Sequence, residues 1–165
     1  MMKNFAVLLM VFSFVAGGMG AALPASAQAK DMWTSMTVSA HGMKAQSERS
    51  RVISENIANA QTAALTPDGD PYTRKVIVFE NRRDRDHNAE LVRVKDIRDD
   101  RKNDYVLKYM PDHPGADDAG YVKMPNVNMV VELTDMREAQ RSYEANLGMM
   151  ETSRTMAQRT IELLR

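Results

Sequence analysis

The sequence predicts a mainly α-helical protein with a small β insert (α+β), in which a long helix at each end of the chain encloses short antiparallel strands. Two observations lead to this fold class. Segments near both ends repeat apolar residues at alternating steps of four and three, the spacing of a helix that packs along one stripe. Between them the chain is rich in turn-forming residues and short β-branched runs. The end helices are expected to pair as a coiled-coil-like hairpin.

Residues 1–27 have the layout of a secretory signal peptide. One basic residue precedes an apolar run over residues 5–16, and a proline then leads into the small residues Ala-Ser-Ala. This pattern predicts cleavage after Ala27, with Gln28 as the first residue of the mature chain. The alternative is an uncleaved membrane anchor. Apolar and small residues continue beyond the apolar run, so the stretch approaches the roughly 18 residues that a membrane span requires. The three glycines that follow the apolar run disfavour this alternative.

Charge and composition exclude several functions. The 22 basic residues balance 22 acidic ones, so no field of one sign is available to attract nucleic acid or an anionic membrane surface. The chain has no cysteine, which excludes disulfides, thiolate metal sites and cysteine nucleophiles. Stability must therefore come from packing or from partners.

The N-terminal helix is predicted over residues 28–62. No proline occurs between Met32 and Ala60, and Gly42 is the only glycine there. Steps of four and three select a thin apolar seam with charged residues on either side of it, as in a helix that buries one narrow stripe. The seam positions expected to make assembly contacts are Met36, Met43, Ile53 and Ile57.

The C-terminal helix, predicted over residues 128–165, carries a stronger seam. The same steps started at Met129 select eleven positions, nine of them apolar, and Asn128 is placed to cap the first turn. Such a helix is roughly 54 Å long at 1.5 Å per residue, so it needs a partner of similar length, for which the N-terminal helix is the candidate. The seam positions on this helix are Met136, Tyr143, Leu147, Met150, Ile161 and Leu164.

Residues 63–127 are predicted to form the β insert. A dense turn cluster over residues 66–71 precedes β-branched and aromatic residues at 72–79. Residues 91–97 and 105–109 alternate apolar with polar side chains, as half-buried strands do. A second turn-rich loop then leads into the last helix.

No group of catalytic or metal-binding residues emerges from the sequence. Asp112, His113, Asp117 and Asp118 share one loop, but their spacing fits no calcium site, and turn-forming aspartate beside proline and glycine explains the same residues. No serine lies in a nucleophile turn, and no phosphate-binding loop is present. Most of the 14 methionines fall on the two seams or in the signal segment, which indicates packing rather than a soft-metal site. The chain is predicted not to be an enzyme and to hold no metal or cofactor.

Residues 39–62 resemble the N-terminal signature of the flagellar basal-body rod and hook protein family. That signature runs Ser-x-x-Gly-(Leu/Met)-x-Ala-Gln and then Asn-Ile-Ala-Asn, with a threonine closely following. From Gly42 to Thr62, nine residues match it here at a fixed spacing. Three later segments, at 71–80, 112–114 and 120–128, are similar to the proximal rod branch of that family. The signature positions singled out by the resemblance are Gly42, Gln46, Asn56, Asn59 and Thr62.

The resemblance implies a structural subunit of the bacterial flagellar basal-body rod, located in the periplasm and required for motility. Its implied partners are copies of itself and other flagellar rod proteins, with export-gate and ring components as further candidates; no nucleic acid or small-molecule substrate is expected. Rod proteins of this family are generally exported uncleaved through the flagellum's own channel, so the predicted signal peptide departs from the family. The alternative function is a periplasmic helical-hairpin adaptor or chaperone-like binding module.

Overall fold

Two helices of equal length frame the chain. The structure is a computed structural model that describes residues 25–67, 69–86 and 88–163. Helix α1 spans Ala25–Asn59 and helix α2 spans Met129–Leu163, each 35 residues long. Between them in the sequence lie two antiparallel sheets of two strands each. The predicted fold class, mainly α with a small β insert, is therefore confirmed.

The ends of the helices differ slightly from the predicted boundaries. Most of the predicted signal peptide lies outside the described residues, as does Leu164, while Ala27 and Gln28 lie in the first turn of α1. The last residue of α1 is Asn59, three residues before the predicted end. None of the described helices is both long enough and apolar enough to cross a membrane.

Polar side chains define where the helices start and stop. The Oδ1 atom of Asn128 accepts a hydrogen bond from the backbone N–H of Val130 at 3.0 Å, so the predicted cap of α2 is confirmed. At the end of α1, Asn59 donates its side-chain Nδ2–H to the carbonyl oxygen of Glu55 at 2.9 Å. The carbonyl oxygen of Asn59 accepts from the N–H of Thr62 at 3.0 Å. These bonds satisfy backbone groups that a helix end leaves without partners.

Each sheet of the insert is a pair of neighbouring strands. Strand β1 (Lys75–Asp84) pairs with β2 (Ala89–Asp99), with one bulge in β2 at Lys95, opposite Val78 and Phe79. Strand β3 (Val106–Tyr109) pairs with β4 (Tyr121–Met124). The sequence predicts the first three strands but not β4, whose four residues form a strand only because the intervening loop brings them beside β3.

The β1–β2 hairpin covers one side of α1. Ala45 and Val52, seven residues apart on the same side of that helix, are buried, as is Leu91 of β2. Val92 and Val94 of β2 line a surface groove together with Ala45 of α1. The core is thin, so little apolar surface is buried within one chain. The buried apolar residues of the described chain are Ala45, Val52, Ile53, Ala64, Leu91, Val122 and Ala139.

Gly115 allows the loop after β3 to touch the segment that follows α1. A Cβ added at Gly115 would lie 2.0 Å from the carbonyl oxygen of Ala64, well inside van der Waals contact. We expect Gly115→Ala to lower the free energy of unfolding by about 1–3 kcal/mol, the usual cost of overpacking a filled site, as measured by urea denaturation.

The matched control for this substitution is Gly148→Ala in α2. Apart from the backbone of its own helix and its chain neighbours, no atom of the described residues lies within 4 Å of a Cβ built at Gly148. Alanine favours a helix over glycine, so stability should rise by up to about 1 kcal/mol. If both alanine substitutions changed the urea midpoint in the same direction, the close approach of Gly115 to Ala64 would not be the reason that this position requires glycine.

Candidate assembly interface

The two helices run antiparallel and meet along residues spaced seven apart. The Oγ atoms of Ser35 and Ser153 are 3.0 Å apart. One heptad further along each helix, Gly42 lies against Asn146, whose side chain would be 2.8 Å from a Cβ at position 42. We call these positions the contact line; its members are Ser35, Gly42, Arg49 and Asn56 of α1 and Glu132, Ala139, Asn146 and Ser153 of α2.

Small and polar side chains make up this contact line. Ala139 is fully buried, and Ser153 and the neighbouring Ser39 are nearly so. Small side chains let two helix backbones approach closely, but they bury little apolar area and so contribute little hydrophobic stabilisation. Gly42 of the family signature has a physical role here, because a larger residue would displace Asn146. The pairing of the helices within one chain is close but only weakly hydrophobic.

Several large apolar residues of each helix lie beside the contact line, on one side of it. On α1 they follow a contact residue by one position, as Met43 follows Gly42, and on α2 Leu147 follows Asn146. Because the helices are antiparallel, these positions turn to the same side of the pair. Met43 is two positions from Ala45, so it lies nearly opposite the hairpin, since successive residues are about 100° apart. We call this surface the apolar face; its members are Met36, Met43, Ile57, Leu133, Met136, Tyr143, Leu147 and Met150.

The apolar face is only partly covered within one chain. Leu147 is 39% exposed, Tyr143 41% and Leu133 47%, while Met36, Met43, Ile57, Met136 and Met150 are half-buried. Two predicted seam residues lie elsewhere: Ile53 is buried inside the fold, and Ile161 is exposed near the end of α2.

The structure thus differs from the simplest expectation for the seam of α2. A repeat that starts at Met129 assigns Leu147 to the stripe that is buried against another helix, whereas α1 meets Asn146 and Ala139 instead, one residue earlier. The offset has a physical reason: the small residues permit the close approach, and the polar ones find hydrogen-bond partners across it. The seam residues remain half-exposed on the apolar face, where their role in assembly stays a prediction.

Asn56 of the family signature ties three elements together. Its Oδ1 accepts hydrogen bonds from the hydroxyl of Tyr72 at 2.8 Å and from the N–H of Lys75 at 2.9 Å. Its Nδ2 donates to the carbonyl oxygen of Lys75 at 2.9 Å and to Oε2 of Glu132 at 3.1 Å. The Lys75 ammonium also pairs with the Glu55 carboxylate. One amide therefore joins α1 to the start of β1 and to α2.

Tyr72 is held as a hydrogen-bond donor at this point. Burial, followed by the nearby carboxylates of Glu55, Glu132 and Asp99, raises the pKa of Tyr72 to about 12. The phenol stays protonated across the physiological range and can donate to Asn56.

Glu132 is a fully buried carboxylate whose ion-pair partner, Arg74, is partly buried. It is 0% exposed, and its Oε1 accepts from Nε of Arg74 at 2.6 Å. Arg74 also lies 3.6 Å from Asp100 and 3.8 Å from Asp135, while its backbone N–H donates to Asn126 at 2.8 Å. We call Asn56, Arg74 and Glu132 the clamp.

Asp100 supports the clamp from the loop after β2. Burial by itself raises the pKa of Asp100, but hydrogen bonds from Asn103 and from the Lys102 backbone N–H, together with the charge of Arg74, outweigh it and hold that pKa below its ordinary value. The carboxylate is ionised at neutral pH and balances part of the charge on Arg74.

Sequence reasoning missed Arg74 and assigned Glu132 no specific partner. One signal was present: Glu132, Ala139, Asn146 and Ser153 are seven apart and all small or polar, a repeat that marks a helix face making close or hydrogen-bonded contacts. Nothing in the sequence near Arg74 indicates that its side chain reaches α2.

The remaining signature residues and the acidic loop have local roles. Thr62 is exposed, and Gln46 is half-buried with an Oε1 atom that has no hydrogen-bond partner among the described residues. In the loop, Oδ1 of Asp117 accepts from the N–H of Tyr121 at 2.7 Å, and Nδ1 of His113 accepts from the N–H of Gly115 at 3.1 Å. These contacts are those of turn-forming side chains.

Comparisons with known proteins point to one family. A family model described as the flagellar basal body rod FlgEFG protein C-terminal region matches residues 118–163, which include β4 and α2. The flagellar basal-body rod protein FlgC of Agrobacterium fabrum is 46% identical over 128 residues, covering 78% of this chain and 91% of that protein. The proteins of the same name from Borreliella burgdorferi and Salmonella typhimurium are 38% and 35% identical, covering 81% and 76% of this chain and 97% and 92% of their own lengths.

These relatives are similar over nearly their whole length and over most of this chain. The chain belongs to the FlgC family of flagellar basal-body rod proteins.

Proposed function

We propose that the apolar face is the surface through which this subunit packs against copies of itself and other rod proteins. The chain is a structural subunit of the flagellar basal-body rod, not an enzyme. One observation supports the proposal above the others: large apolar residues from both helices, among them Met43, Tyr143 and Leu147, share one partly exposed side, while small and polar residues fill the contact between the helices.

Covering that face in an assembly would supply the hydrophobic stabilisation that a single chain lacks. Each square ångström of apolar surface removed from water contributes about 25 cal/mol, and side chains such as Leu147 and Tyr143 still have more than a third of their surface to bury. A contact whose rotation does not close on itself repeats into a helical filament, so one face can build a rod from many copies.

An adaptor or chaperone-like binding module is not favoured. The relatives named above, which match most of this chain, carry the name of a rod protein. As a rod subunit the chain lies in the periplasmic part of the basal body. The proposal includes contacts with export-gate and ring components, and only the location of a rod subunit in the basal body supports them.

The proposal includes export by the general secretory route. Gln28 lies one heptad before Ser35 in α1, so cleavage after Ala27 removes no position of the contact line. The alignment with the Agrobacterium relative covers 91% of that protein but only 78% of this chain. Some residues of this chain therefore have no counterpart in the relative.

Cleavage of the signal peptide predicts the N-terminus of the assembled subunit. Mass spectrometry of purified basal bodies should find Gln28, or a residue within a few positions of it, as the first residue. Ala27→Leu is the control, because signal peptidase requires a small residue before the cleaved bond, and this variant should retain its leader. Intact Met1 in assembled rods would rule out the secretory route. It would not affect the assembly proposal, which the Leu147→Lys substitution tests directly.

A further inference from the structure

The contact line by itself does not select one register of the two helices. Four of its eight members are serine, glycine or alanine, which bury little apolar area. A slide of one turn would bring four apolar residues of α2 to the line, so hydrophobic packing by itself does not oppose it; these residues are Met136, Tyr143, Met150 and Ala157. Arg49 pairs with Asp135 at 3.6 Å and with Glu138 at 3.7 Å. A long side chain with acceptors on adjacent turns tolerates a slide too, because it can reach either of them. Some other contact must fix the register.

The clamp has the properties that such a contact requires. We propose that Asn56 and Glu132, held by Arg74, are the positioning residues that fix the register of α1 against α2. Their hydrogen bond of 3.1 Å is buried and joins the two helices directly. A slide of one turn would separate the two groups and leave a buried amide donor and a buried carboxylate without partners, which is strongly unfavourable. A buried polar pair of this kind is the best-attested means of specifying register between helices.

Arg74 makes the clamp rigid from a third direction. It is anchored to Glu132 at 2.6 Å and, through its backbone N–H, to Asn126 at 2.8 Å. Asn126 in turn donates to the carbonyl oxygens of Asp100 and Asn103 at 2.8 and 3.0 Å. Because the loop holds Arg74 in place, Glu132 cannot follow a sliding helix without losing its ion pair.

Register matters for the apolar face, a consequence that rests on the proposed function. The face combines one row from each helix, so a slide of one turn displaces the α2 row by about 5.4 Å along the α1 row. Residues that should meet a neighbouring subunit together would then be out of step. Asn56 and Glu132 belong to the contact line and are buried, so the clamp aligns the apolar face from inside the subunit.

Pairs of introduced cysteines can report the register, since the chain has none of its own. Ser35→Cys with Ser153→Cys reports the native register, because these Oγ atoms are 3.0 Å apart. Ser35→Cys with Ala157→Cys, one turn further along α2, reports the shifted register. Each pair is oxidised mildly in the purified full chain, and the cross-linked fraction is measured by non-reducing electrophoresis.

With the clamp intact, we expect the 35/153 pair to cross-link and the 35/157 pair to remain largely reduced. Glu132→Leu should bring the two yields to comparable values, while Arg74 keeps Asp100 and Asp135 as partners. Glu132→Gln retains an acceptor for Asn56 and should restore the native preference. The matched control is Glu138→Leu at an exposed α2 position, which should leave the preference unchanged.

Continued exclusive cross-linking of the 35/153 pair in Glu132→Leu would overturn the proposal. If Glu132→Leu loses its helical circular dichroism signal, Asn56→Ala is tested in its place, because it removes the same hydrogen bond from the α1 side. Unfolding of both variants would also overturn the proposal, because the clamp would then support folding rather than register. If the register slips but cells that carry Glu132→Leu swim normally, the register proposal is supported and the proposed assembly role of the apolar face is contradicted.

Discussion

Cells whose subunit carries Leu147→Lys are expected to produce and export the protein but to lack rods, hooks and motility. Leu147 lies in the middle of the apolar face and is 39% exposed in the single chain. There its lysine replacement can extend its ammonium group into water, so the free subunit should fold. In an assembled rod the same position would be covered, and a buried ammonium without a partner is strongly unfavourable.

The expected size of this effect follows from its repetition. Burial of a leucine side chain contributes roughly 1.5–3 kcal/mol, and both the loss of that contact and the cost of the charge recur at every copy in the rod. Swimming in soft agar and electron microscopy of basal bodies provide the measurements, and immunoblotting of the periplasmic fraction checks production and export.

Ala145→Lys provides the matched control for Leu147→Lys. Ala145 is exposed on α2 and lies two positions from Leu147, so it points about 160° away from it around the helix axis. The control adds the same charge at almost the same height but off the apolar face, and these cells should swim. Normal motility with Leu147→Lys would show that the apolar face is not the assembly surface.

Arg74→Ala is expected to lower the free energy of unfolding by about 3–5 kcal/mol, the usual cost of leaving a buried charge without its ion-pair partner. The carboxylate of Glu132 is almost wholly inaccessible, and the nearest guanidinium atom is 2.6 Å away. Removal of Arg74 leaves this charge in the interior with only the Asn56 amide as a partner. Urea denaturation followed by circular dichroism at neutral pH measures the change.

The matched control for Arg74→Ala is Arg98→Ala on strand β2. Arg98 is exposed, and surface substitutions of this kind usually change stability by less than about 0.5 kcal/mol. A loss of less than about 1 kcal/mol with Arg74→Ala would mean that solvent or the neighbouring residues compensate for the missing guanidinium, and that the clamp is weaker than its geometry indicates.

The sequence by itself determined the elements that depend on local chemistry. The four-and-three repeat specifies the two long helices because side chains three and four positions apart share one helix side. Asn128 marks the start of α2 because its short side chain can reach a backbone N–H that the helix leaves free. The signature residues from Gly42 to Thr62 indicated the family, since their identity and spacing are properties of the chain alone.

Only the tertiary structure decided which side of each helix meets the other. Periodicity locates an apolar stripe, but the approach of two helices depends on side-chain size at the contact, and this favoured Gly42 against Asn146 over contact through Leu147. The clamp also required the fold, because Asn56, Arg74 and Glu132 are far apart in sequence and meet only when the insert closes onto both helices. Short-range patterns cannot encode such a meeting, since it depends on how the whole chain packs.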